Sequence, residues 1–307
     1  MSIEVTNLRS SAKAYNLKAV TRLNLNLRLP EWFIERYGLD RNHLRVQVDA
    51  LTDATYDFQH SVEDEGFIDG KLGPGTLRKI LQDQDQGWLY RGDAYLSRSN
   101  LITYKELEGL DLHSVGHYNA RFFKNKPPKC LIVHWGGLNP RHLYDCFSGA
   151  RRVSSHAGIG LENGEAVTYQ YLDLQHKSWH SGFMNSHSVG IDICQQAVEK
   201  WGGYYASRGY NVSLIENGGK GPDQCLSLDE RILDELSLVI EDLCDIFDIP
   251  KVTIGVNDFL NPKEAKQFKG VLGHHHVSKK KWDCAPWWED ITQAADLQCL
   301  SQSPLRT

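Results

Sequence analysis

The chain has 307 residues and a formal net charge of -5, with 41% hydrophobic and 24% charged residues. This balance is ordinary for a globular protein and excludes a disordered or fibrous chain. The acidic surplus argues against nucleic acid as a partner, because proteins that bind it usually carry excess positive charge. No run of about 18 apolar residues occurs, so we expect no stable membrane insertion. No feature of the sequence points to a protein partner.

The first residues and the cysteines bear on where the protein is made. The opening Met1-Ser2-Ile3-Glu4 lacks the basic segment and following apolar stretch of a signal peptide. Seven scattered cysteines with no CxxC pair are typical of reduced thiols. We therefore expect synthesis in a cytoplasm, without a signal peptide.

Residues 1–83 have the pattern of a small all-α domain. Four residues recur near helical spacing before a break at glycine: Leu51, Thr55, Phe58 and Val62. The segment 66–76 is rich in glycine and contains a proline, which predicts a tight loop. Thr76 can cap a further helix that runs to Leu81. These signals predict helices joined by a loop.

A second domain is predicted from residue 129 to residue 298, after a linker and N-terminal wrap over 84–128. The apolar run Cys130–His134 follows two prolines and is typical of a buried strand. Further strands are expected at 166–172 and 188–194. Residues 299–307 are expected to be a tail.

A long helix is predicted between the capping box Ser227-Leu228-Asp229-Glu230 and about Phe247. Its apolar residues keep the spacing of one broad buried face: Ile232, Leu233, Leu236, Val239, Ile240, Leu243 and Phe247. Strands interleaved with helices predict an α/β domain with a mixed central sheet flanked by helices.

Three pieces of the second domain offer metal ligands: His134 at a strand end, His274 after Gly273, and Asp283. Two histidines and a carboxylate leave one zinc position open for water. Zinc bound in this way lowers the pKa of its water to about 7 and polarises a carbonyl group. Such a site suits the hydrolysis of an amide.

The order of these motifs from about 129 to 290 resembles the zinc N-acetylmuramoyl-L-alanine amidases, which include phage lysozyme-amidases and the peptidoglycan recognition proteins. The matching motifs are Leu131-Ile132-Val133-His134-Trp135, Ser154-Ser155-His156-Ala157-Gly158-Ile159, Trp179-His180-Ser181-Gly182, Asn185 through Ile193, and Gly273-His274 with Lys281-Trp282-Asp283. The resemblance implies that His134, His274 and Asp283 hold Zn²⁺. It also implies that Lys281 stabilises the attacked carbonyl group.

Two departures from the family pattern leave alternatives open at the metal. Cys284 directly follows Asp283, and a thiolate is also a good zinc ligand. We favour Asp283 because it keeps the family's offset from the lysine. His275 is a rival to His274 if the turn is shifted, although the preceding Gly273 favours His274.

The remaining site residues are also carried over from the resemblance. The family's proton-handling positions are occupied here by Asp192 and Ser155. Asp192 acts either as a general base or as a partner that orients a histidine ligand. His180 is expected to hold the oxyanion or the lactyl group of the sugar. His156, Trp135 and Asn185 are expected to bind substrate, with packing as the alternative for His156.

The N-terminal module supplies a second resemblance. Phe58-Gln59 followed by the segment 66–76 is similar to the three-helix peptidoglycan-binding domain. Together the two resemblances imply a peptidoglycan hydrolase, with a phage endolysin that acts on the host cell wall as the expected role. A bacterial autolysin, a secretion-system effector, a non-catalytic peptidoglycan recognition protein and a cytoplasmic muropeptide-recycling amidase are the alternatives.

Overall fold

The computed structural model describes residues 11–18, 20, 29, 31–40, 43–61, 70–72, 87–106, 109, 111–119, 123, 126–137, 139–217 and 219–300. The chain forms two compact units. The first comprises Met1–Gly87 and Ala94–Arg98, and the second comprises Trp88–Asp93 and Ser99–Thr307. The domain boundaries expected at residues 83, 128 and 298 stay predictions.

The first unit is helical, as the sequence predicts. Its described helices are α1 (residues 11–18), α2 (Glu31–Arg36) and α3 (Val48–Ser61). One apolar core joins Phe33, Leu44, Leu51 and Phe58. The spacing of Leu51, Thr55 and Phe58 therefore marks the buried face of α3. Val62, most of the loop 66–76 and the helix expected to end at Leu81 lie outside the described residues.

Residues 70–72 of that loop are held by two buried amide side chains. The Asn16 amide donates to the Gly70 carbonyl at 2.8 Å, and its oxygen accepts from the Leu72 N–H at 2.7 Å. The Gly70 N–H donates to the Gln59 side chain at 2.8 Å. Gly70 has φ of +69°, a conformation that glycine adopts without strain. The loop backbone is thus fixed against α1 and α3.

Fourteen strands are present in the described residues. In chain order they are β1 (Gly87–Tyr90), β2 (Asp93–Leu96), β3 (Leu101–Thr103), β4 (Tyr118–Asn119), β5 (Cys130–Trp135), β6 (Ala157–Glu162), β7 (Glu165–Gln170), β8 (Lys177–Ser178), β9 (Ser188–Ile193), β10 (Leu214–Glu216), β11 (Gln224–Leu226), β12 (Val252–Ile254), β13 (Gly270–Gly273) and β14 (Gln298–Leu300). The helices of the second unit are α4 (Pro140–Ser148), α5 (Gly202–Ala206), α6 (Glu230–Phe247), α7 (Pro262–Gln267), α8 (His274–Val277) and α9 (Trp288–Ala294).

The centre of the second unit is a six-stranded sheet with the order β13-β5-β9-β6-β7-β3. The β6–β7 pair is antiparallel and the other pairs are parallel, so the sheet is mixed. Every residue of β9 is buried, as are Cys130 to His134 of β5, which explains their nearly continuous apolar sequence. The predicted α/β class with a mixed central sheet is confirmed.

Helices cover both faces of this sheet. Thr168 of β7 donates to the Glu235 carboxylate of α6 at 2.5 Å. Its neighbours Val167 and Tyr169 pack instead with Leu143 of α4, because successive residues of a strand point to opposite faces. None of the described helices is long and apolar enough to cross a bilayer.

Helix α6 begins two residues later than a Ser227 cap requires. It starts at Glu230, and Asp229 is the N-cap, accepting from the Arg231 N–H at 3.0 Å. The predicted capping box at Ser227 is therefore wrong. The Ser227 N–H donates to the Ser213 carbonyl at 2.7 Å, so this residue still belongs to the extended backbone that follows β11.

The segment 84–128, expected to be a linker and wrap, also supplies an edge strand of the central sheet. Leu101, Ile102 and Thr103 pair in parallel with Thr168, Tyr169 and Gln170. Three residues are too few for a recognisable alternation of apolar and polar side chains. The sequence therefore does not reveal the strand.

Replacing Ile240 with alanine is expected to destabilise the second unit strongly. The side chain lies on the buried face of α6 with no exposed surface. Truncating such a residue costs about 2–5 kcal/mol of unfolding free energy, because buried contacts are lost and a cavity remains. Urea unfolding measures the loss. Asp234→Ala, at an exposed position of α6, is the matched control and should change stability little.

Candidate metal centre

Two adjacent strands place His134 and Asp192 at one edge of the sheet. Strands β5 and β9 are parallel, and His134 is the register partner of Asp192. Aligned residues of neighbouring strands point to the same face of a sheet. Both side chains therefore lie on one face, near the carboxyl ends of their strands.

His274 reaches the same edge from the next strand. β13 runs parallel to β5 with Gly273 opposite Val133, and α8 begins directly afterwards at His274. A Cβ atom at position 273 would collide with the His275 ring and lie 3.0 Å from the Cys284 sulfur. The glycine is needed because these side chains fold back over its backbone.

Asp283 completes a compact group with the two histidines. Its Oδ2 lies 2.8 Å from His274 Nδ1 and 3.7 Å from His134 Nδ1, and the two Nδ1 atoms are 3.1 Å apart. The φ of Asp283 is +28°, a region that residues with side chains rarely adopt. This backbone conformation turns the carboxylate toward the histidines.

The electrostatics of the group favour a charged Asp283 carboxylate beside a neutral His274 imidazole. Burial alone raises the pKa of Asp283, but hydrogen bonds with His134 and His274 outweigh it and hold the pKa well below its ordinary value. Burial, followed by the nearby His134, lowers the pKa of His274, against the opposing effect of Asp283. Neutral imidazole and ionised carboxylate are the forms that bind metals.

These donors fit zinc in both chemistry and spacing. A tetrahedral zinc with ligands at about 2.0–2.1 Å separates its ligand atoms by about 3.3 Å. The observed separations of 2.8, 3.1 and 3.7 Å bracket that value. Three protein ligands with nitrogen and oxygen donors are the set found in catalytic zinc sites. The group is therefore suited to hold the ion expected from the sequence.

Cys284, the rival third ligand, lies outside this group. Its sulfur is fully buried and donates to the Val133 carbonyl at 3.4 Å. Burial, reinforced by the charge of Asp283, raises the pKa of the thiol well above its ordinary value. The sulfur thus faces the Val133 carbonyl rather than the three clustered donor atoms of His134, His274 and Asp283.

His275, the rival to His274, also lies outside the group. It is fully buried, and its Nδ1 is 3.9 Å from the Cys284 sulfur. His276 is buried beside it, and its Nδ1 accepts from the Gly273 N–H at 3.0 Å. Of the three consecutive histidines, only His274 faces Asp283 and His134.

His180 contacts His134 on the side of the ring opposite the ligand nitrogen. Its Nε2 lies 3.3 Å from the Ser188 carbonyl oxygen, which only accepts hydrogen bonds. His180 therefore carries its hydrogen on Nε2, and its Nδ1 accepts from His134 Nε2 at 2.9 Å. In the neutral form that donates from Nε2, His134 has a free lone pair on Nδ1, which is the form that metal ligation requires.

Replacing His180 with alanine is expected to weaken zinc binding about 10–100-fold, the usual cost of losing a group that orients a ligand. Dialysis against zinc buffers measures the dissociation constant. Replacing the exposed His142 of α4 is the control and should leave it unchanged. Equal zinc affinity of the wild-type protein and the His180→Ala variant would contradict the orienting role.

Asp192 is a buried carboxyl group beside the ligands. Its Oδ2 is buried and has no hydrogen-bond partner among the described residues. Burial raises its pKa, and this effect exceeds the opposing influence of His134 and of the Ser155 hydroxyl. Gly136 makes room for it, because a Cβ there would lie 2.9 Å from the Asp192 Cβ. A carboxyl group in this setting is suited to exchange protons.

Lys281 and Trp135 flank the group. Lys281 is exposed, and its charge adds to the effects of burial and His134 that lower the pKa of His274, while it partly offsets the burial that raises the pKa of Asp192. The Trp135 ring is partly buried and packs 4.6 Å from the Trp282 ring. Trp282, to which the motif assigns no role, is thus paired with an expected substrate-binding residue. The position of Trp282 between Lys281 and Asp283 is the sequence feature that could have indicated a place near the site.

Two expected substrate-binding residues are buried and hydrogen-bonded within the scaffold. His156 is fully buried, its Nδ1 accepts from the Gly190 N–H at 3.0 Å, and its Nε2 lies 2.8 Å from the His176 carbonyl. Asn185 is buried, and its side-chain oxygen accepts from the N–H groups of His180 and Ser181. In this structure His156 packs between strands, which is the alternative expected for it, and Asn185 fixes the turn that carries His180; the substrate contacts expected of the two residues stay predictions.

Known structures resemble parts of this chain. A mutant form of PlyL has 15% identity and a TM-score of 0.34 over 58% of this chain and 93% of its own. The catalytic domain of XlyA has 15% identity and a TM-score of 0.33 over 55% and 86%. The amidase AmiD from E. coli, in complex with a muramyl peptide substrate, has 14% identity and a TM-score of 0.36 over 59% and 62%.

No protein with a curated description matches this sequence. The family assignment rests on a direct sequence match to Amidase_2, described as N-acetylmuramoyl-L-alanine amidase, over residues 124–286. That range is just over half of the 307 residues, and it contains His134, His274 and Asp283. The chain therefore belongs to the N-acetylmuramoyl-L-alanine amidase family.

Proposed function

We propose that this chain hydrolyses the amide between N-acetylmuramic acid and L-alanine in peptidoglycan, with zinc held by His134, His274 and Asp283. The observation that carries the proposal is the convergence of these three ligand atoms within 4.8 Å of one another. Family membership supplies the substrate class. Zinc, when bound by such a set, lowers the pKa of water to about 7 and polarises the scissile carbonyl group.

The protein's own residues supply the proton transfers and the charge compensation. Asp192 accepts a proton from the attacking water and returns it to the leaving amine of L-alanine. Its buried position and raised pKa support both steps. The Lys281 ammonium group stabilises negative charge that develops on the carbonyl oxygen. His180 keeps His134 in the tautomer that binds metal.

We propose that the protein acts as a phage endolysin on the cell wall of the host. All seven cysteines are unpaired, and five of them are buried, which supports synthesis in a reducing compartment. The proposed N-terminal domain, residues 1–83, acts as a peptidoglycan-binding module. Such a module raises the local enzyme concentration on an insoluble polymer.

The test is the release of new L-alanine amino termini from purified sacculi. The wild-type protein is expected to release them. Treatment with a chelator, which removes zinc, should abolish the activity. Intact sacculi that yield no new L-alanine termini, despite stoichiometric zinc in the protein, would instead favour a peptidoglycan recognition protein without catalysis.

Removing residues 1–83 is expected to lower activity on sacculi by at least about tenfold, because the effective concentration at the wall is lost. Activity on a soluble muramyl tripeptide should stay close to that of the full chain. Both rates are measured by amino-terminal labelling. If the full chain prefers soluble fragments, and the truncation changes nothing, the muropeptide-recycling role replaces the endolysin role.

A further inference from the structure

A hairpin of the second unit brings a glycine-rich loop against the segments that carry two of the metal ligands. Strands β10 and β11 form an antiparallel pair. The described residues that join them, Asn217 and 219–223, are the hairpin loop, and Lys220 lies in it between two glycines. The proposed hydrolysis gives these residues no role.

The hairpin loop is held in one shape by the side chain of Asn217. The amide donates to the carbonyl oxygens of Lys220 at 3.0 Å and Pro222 at 2.8 Å. The amide oxygen accepts from the Gly219 N–H at 3.0 Å. The Asn217 N–H also donates to the Asp223 carbonyl at 2.8 Å. Because these bonds close the loop on itself, the Lys220 side chain starts from a fixed backbone.

The backbone of the hairpin loop packs against the segment that carries Asp283. A Cβ atom at Gly221 would lie 2.9 Å from the Trp282 ring. A Cβ atom at Gly219 would lie 3.5 Å from the Ala285 Cβ. Asp283 lies between these two contacts with a φ of +28°, and such a strained conformation persists only where the surroundings hold it. The loop therefore supports the backbone on both sides of this ligand.

Lys220 reaches the segment that carries the other ligand. Its side chain is partly buried, and the ammonium group donates to the His275 carbonyl at 2.9 Å. The short helix α8 begins at His274, and the last carbonyl groups of a helix have no partner within it. The carbonyl groups of His274 and His276 accept from backbone N–H groups. Lys220 thus provides a charged donor for the carbonyl group between them.

We propose that Lys220 is a positioning residue for the metal centre. Together with the hairpin loop, it holds the segments of His274 and Asp283 at the spacing that binds zinc. The His274 Nδ1 and the Asp283 Oδ2, which are 2.8 Å apart, belong to the two segments that the loop contacts. Lys220 acts through the backbone at His275. The inference rests on the proposed function, because it concerns the ligands named there.

The test is zinc titration of the metal-stripped, full-length protein. Lys220→Met keeps an unbranched side chain but cannot donate a hydrogen bond. It is expected to raise the zinc dissociation constant about tenfold, the lower end of the usual effect of a group that supports a ligand. Lys220→Arg keeps a charged donor and should restore most of the affinity. Lys263→Met, at an exposed lysine of α7, is the matched control and should bind zinc like the wild type.

Equal zinc affinity of the wild type and Lys220→Met would overturn the positioning role and leave the proposed function intact. A Lys220→Arg variant as weak as Lys220→Met would also contradict it, because the donor would then not be the cause. If the wild type binds no zinc, the proposed metal centre fails, and this inference fails with it.

A second variant tests the loop backbone independently of Lys220. Gly221 has a φ of +121° and its Cβ position faces the Trp282 ring, so Gly221→Ala should displace that ring and weaken zinc binding. Gly209→Ala is the control, because Gly209 has a φ of +75° with open space around its Cβ position. An equal loss of zinc affinity in both variants would assign the effect to backbone strain and count against the proposal.

Kinetics with zinc in excess separate positioning from substrate binding. Lys220→Met should then regain the wild-type kcat and KM on a soluble muramyl tripeptide, because its defect lies in metal affinity. A raised KM that excess zinc does not correct would mean that Lys220 binds substrate, and the positioning role would be wrong.

Discussion

Replacing Asp283 with alanine is expected to abolish stoichiometric zinc binding and amidase activity together. Asp283 supplies the only carboxylate in the described ligand group, and its strained backbone aims that carboxylate at His134 and His274. Loss of a group that merely orients a ligand costs about 10–100-fold in metal affinity. Loss of the ligand itself should cost more than that range.

The adjacent Cys284→Ala variant is the decisive comparison. The Cys284 thiol faces the Val133 carbonyl rather than the metal group, so this variant should keep one zinc per chain and most of its activity. Elemental analysis and the sacculus assay, applied to both variants, give the answer. The opposite pattern, with zinc lost only in Cys284→Ala, would make the thiolate the third ligand.

Replacing Asp192 with asparagine is expected to lower kcat about 10²–10⁴-fold, the usual contribution of a positioned acid–base group. Asparagine keeps the size of the side chain but cannot take up a proton. Zinc content should stay at one per chain, because Asp192 is not among the three ligand atoms. Rates on a soluble muramyl tripeptide, measured with zinc in excess, isolate the chemical step.

The zinc measurement separates the two roles that the sequence leaves open for Asp192. A residue that only orients His134 would lower metal affinity, and excess zinc would restore the rate. Asp145→Asn, at an exposed carboxylate of α4, is the matched control for the loss of one negative charge. Restoration of Asp192→Asn by excess zinc would contradict its role in proton transfer.

The proximity of His134, His274 and Asp283 is predictable because each member follows a recognisable local pattern. His134 ends an apolar strand, His274 follows a glycine, and Asp283 keeps the lysine offset of the family. The sequence leaves the choice between Asp283 and Cys284 open, since adjacent residues could both reach a metal held by the two histidines. In the structure, the positive φ of Asp283 directs its carboxylate toward the histidines, whereas the Cys284 sulfur faces a carbonyl group.

His156 and Asn185 illustrate what the motifs do not reveal. Both fall in segments that resemble the family, and the resemblance predicts that they contact substrate. Their hydrogen bonds hold Gly190 and the turn at His180. Such roles depend on which side of a strand or turn faces the core, and partners distant in sequence decide that.

The secondary structure was predictable where the periodic pattern is long. The apolar face of α6 and the strand β5 were evident, whereas the first residue of α6 was not. Ser227 and Asp229 are both good caps in isolation, and the pairing of Ser227 with Ser213 excludes the former.

Zinc titration of the metal-stripped protein, with amidase activity followed in the same samples, tests the central claim most directly. Activity on a soluble muramyl tripeptide should rise in proportion to added zinc, reach its maximum at one equivalent, and fail to appear in His134→Ala, His274→Ala or Asp283→Ala at the same zinc concentration. Full activity of the stripped wild type, or undiminished zinc binding by the three variants, would contradict the proposed metal centre.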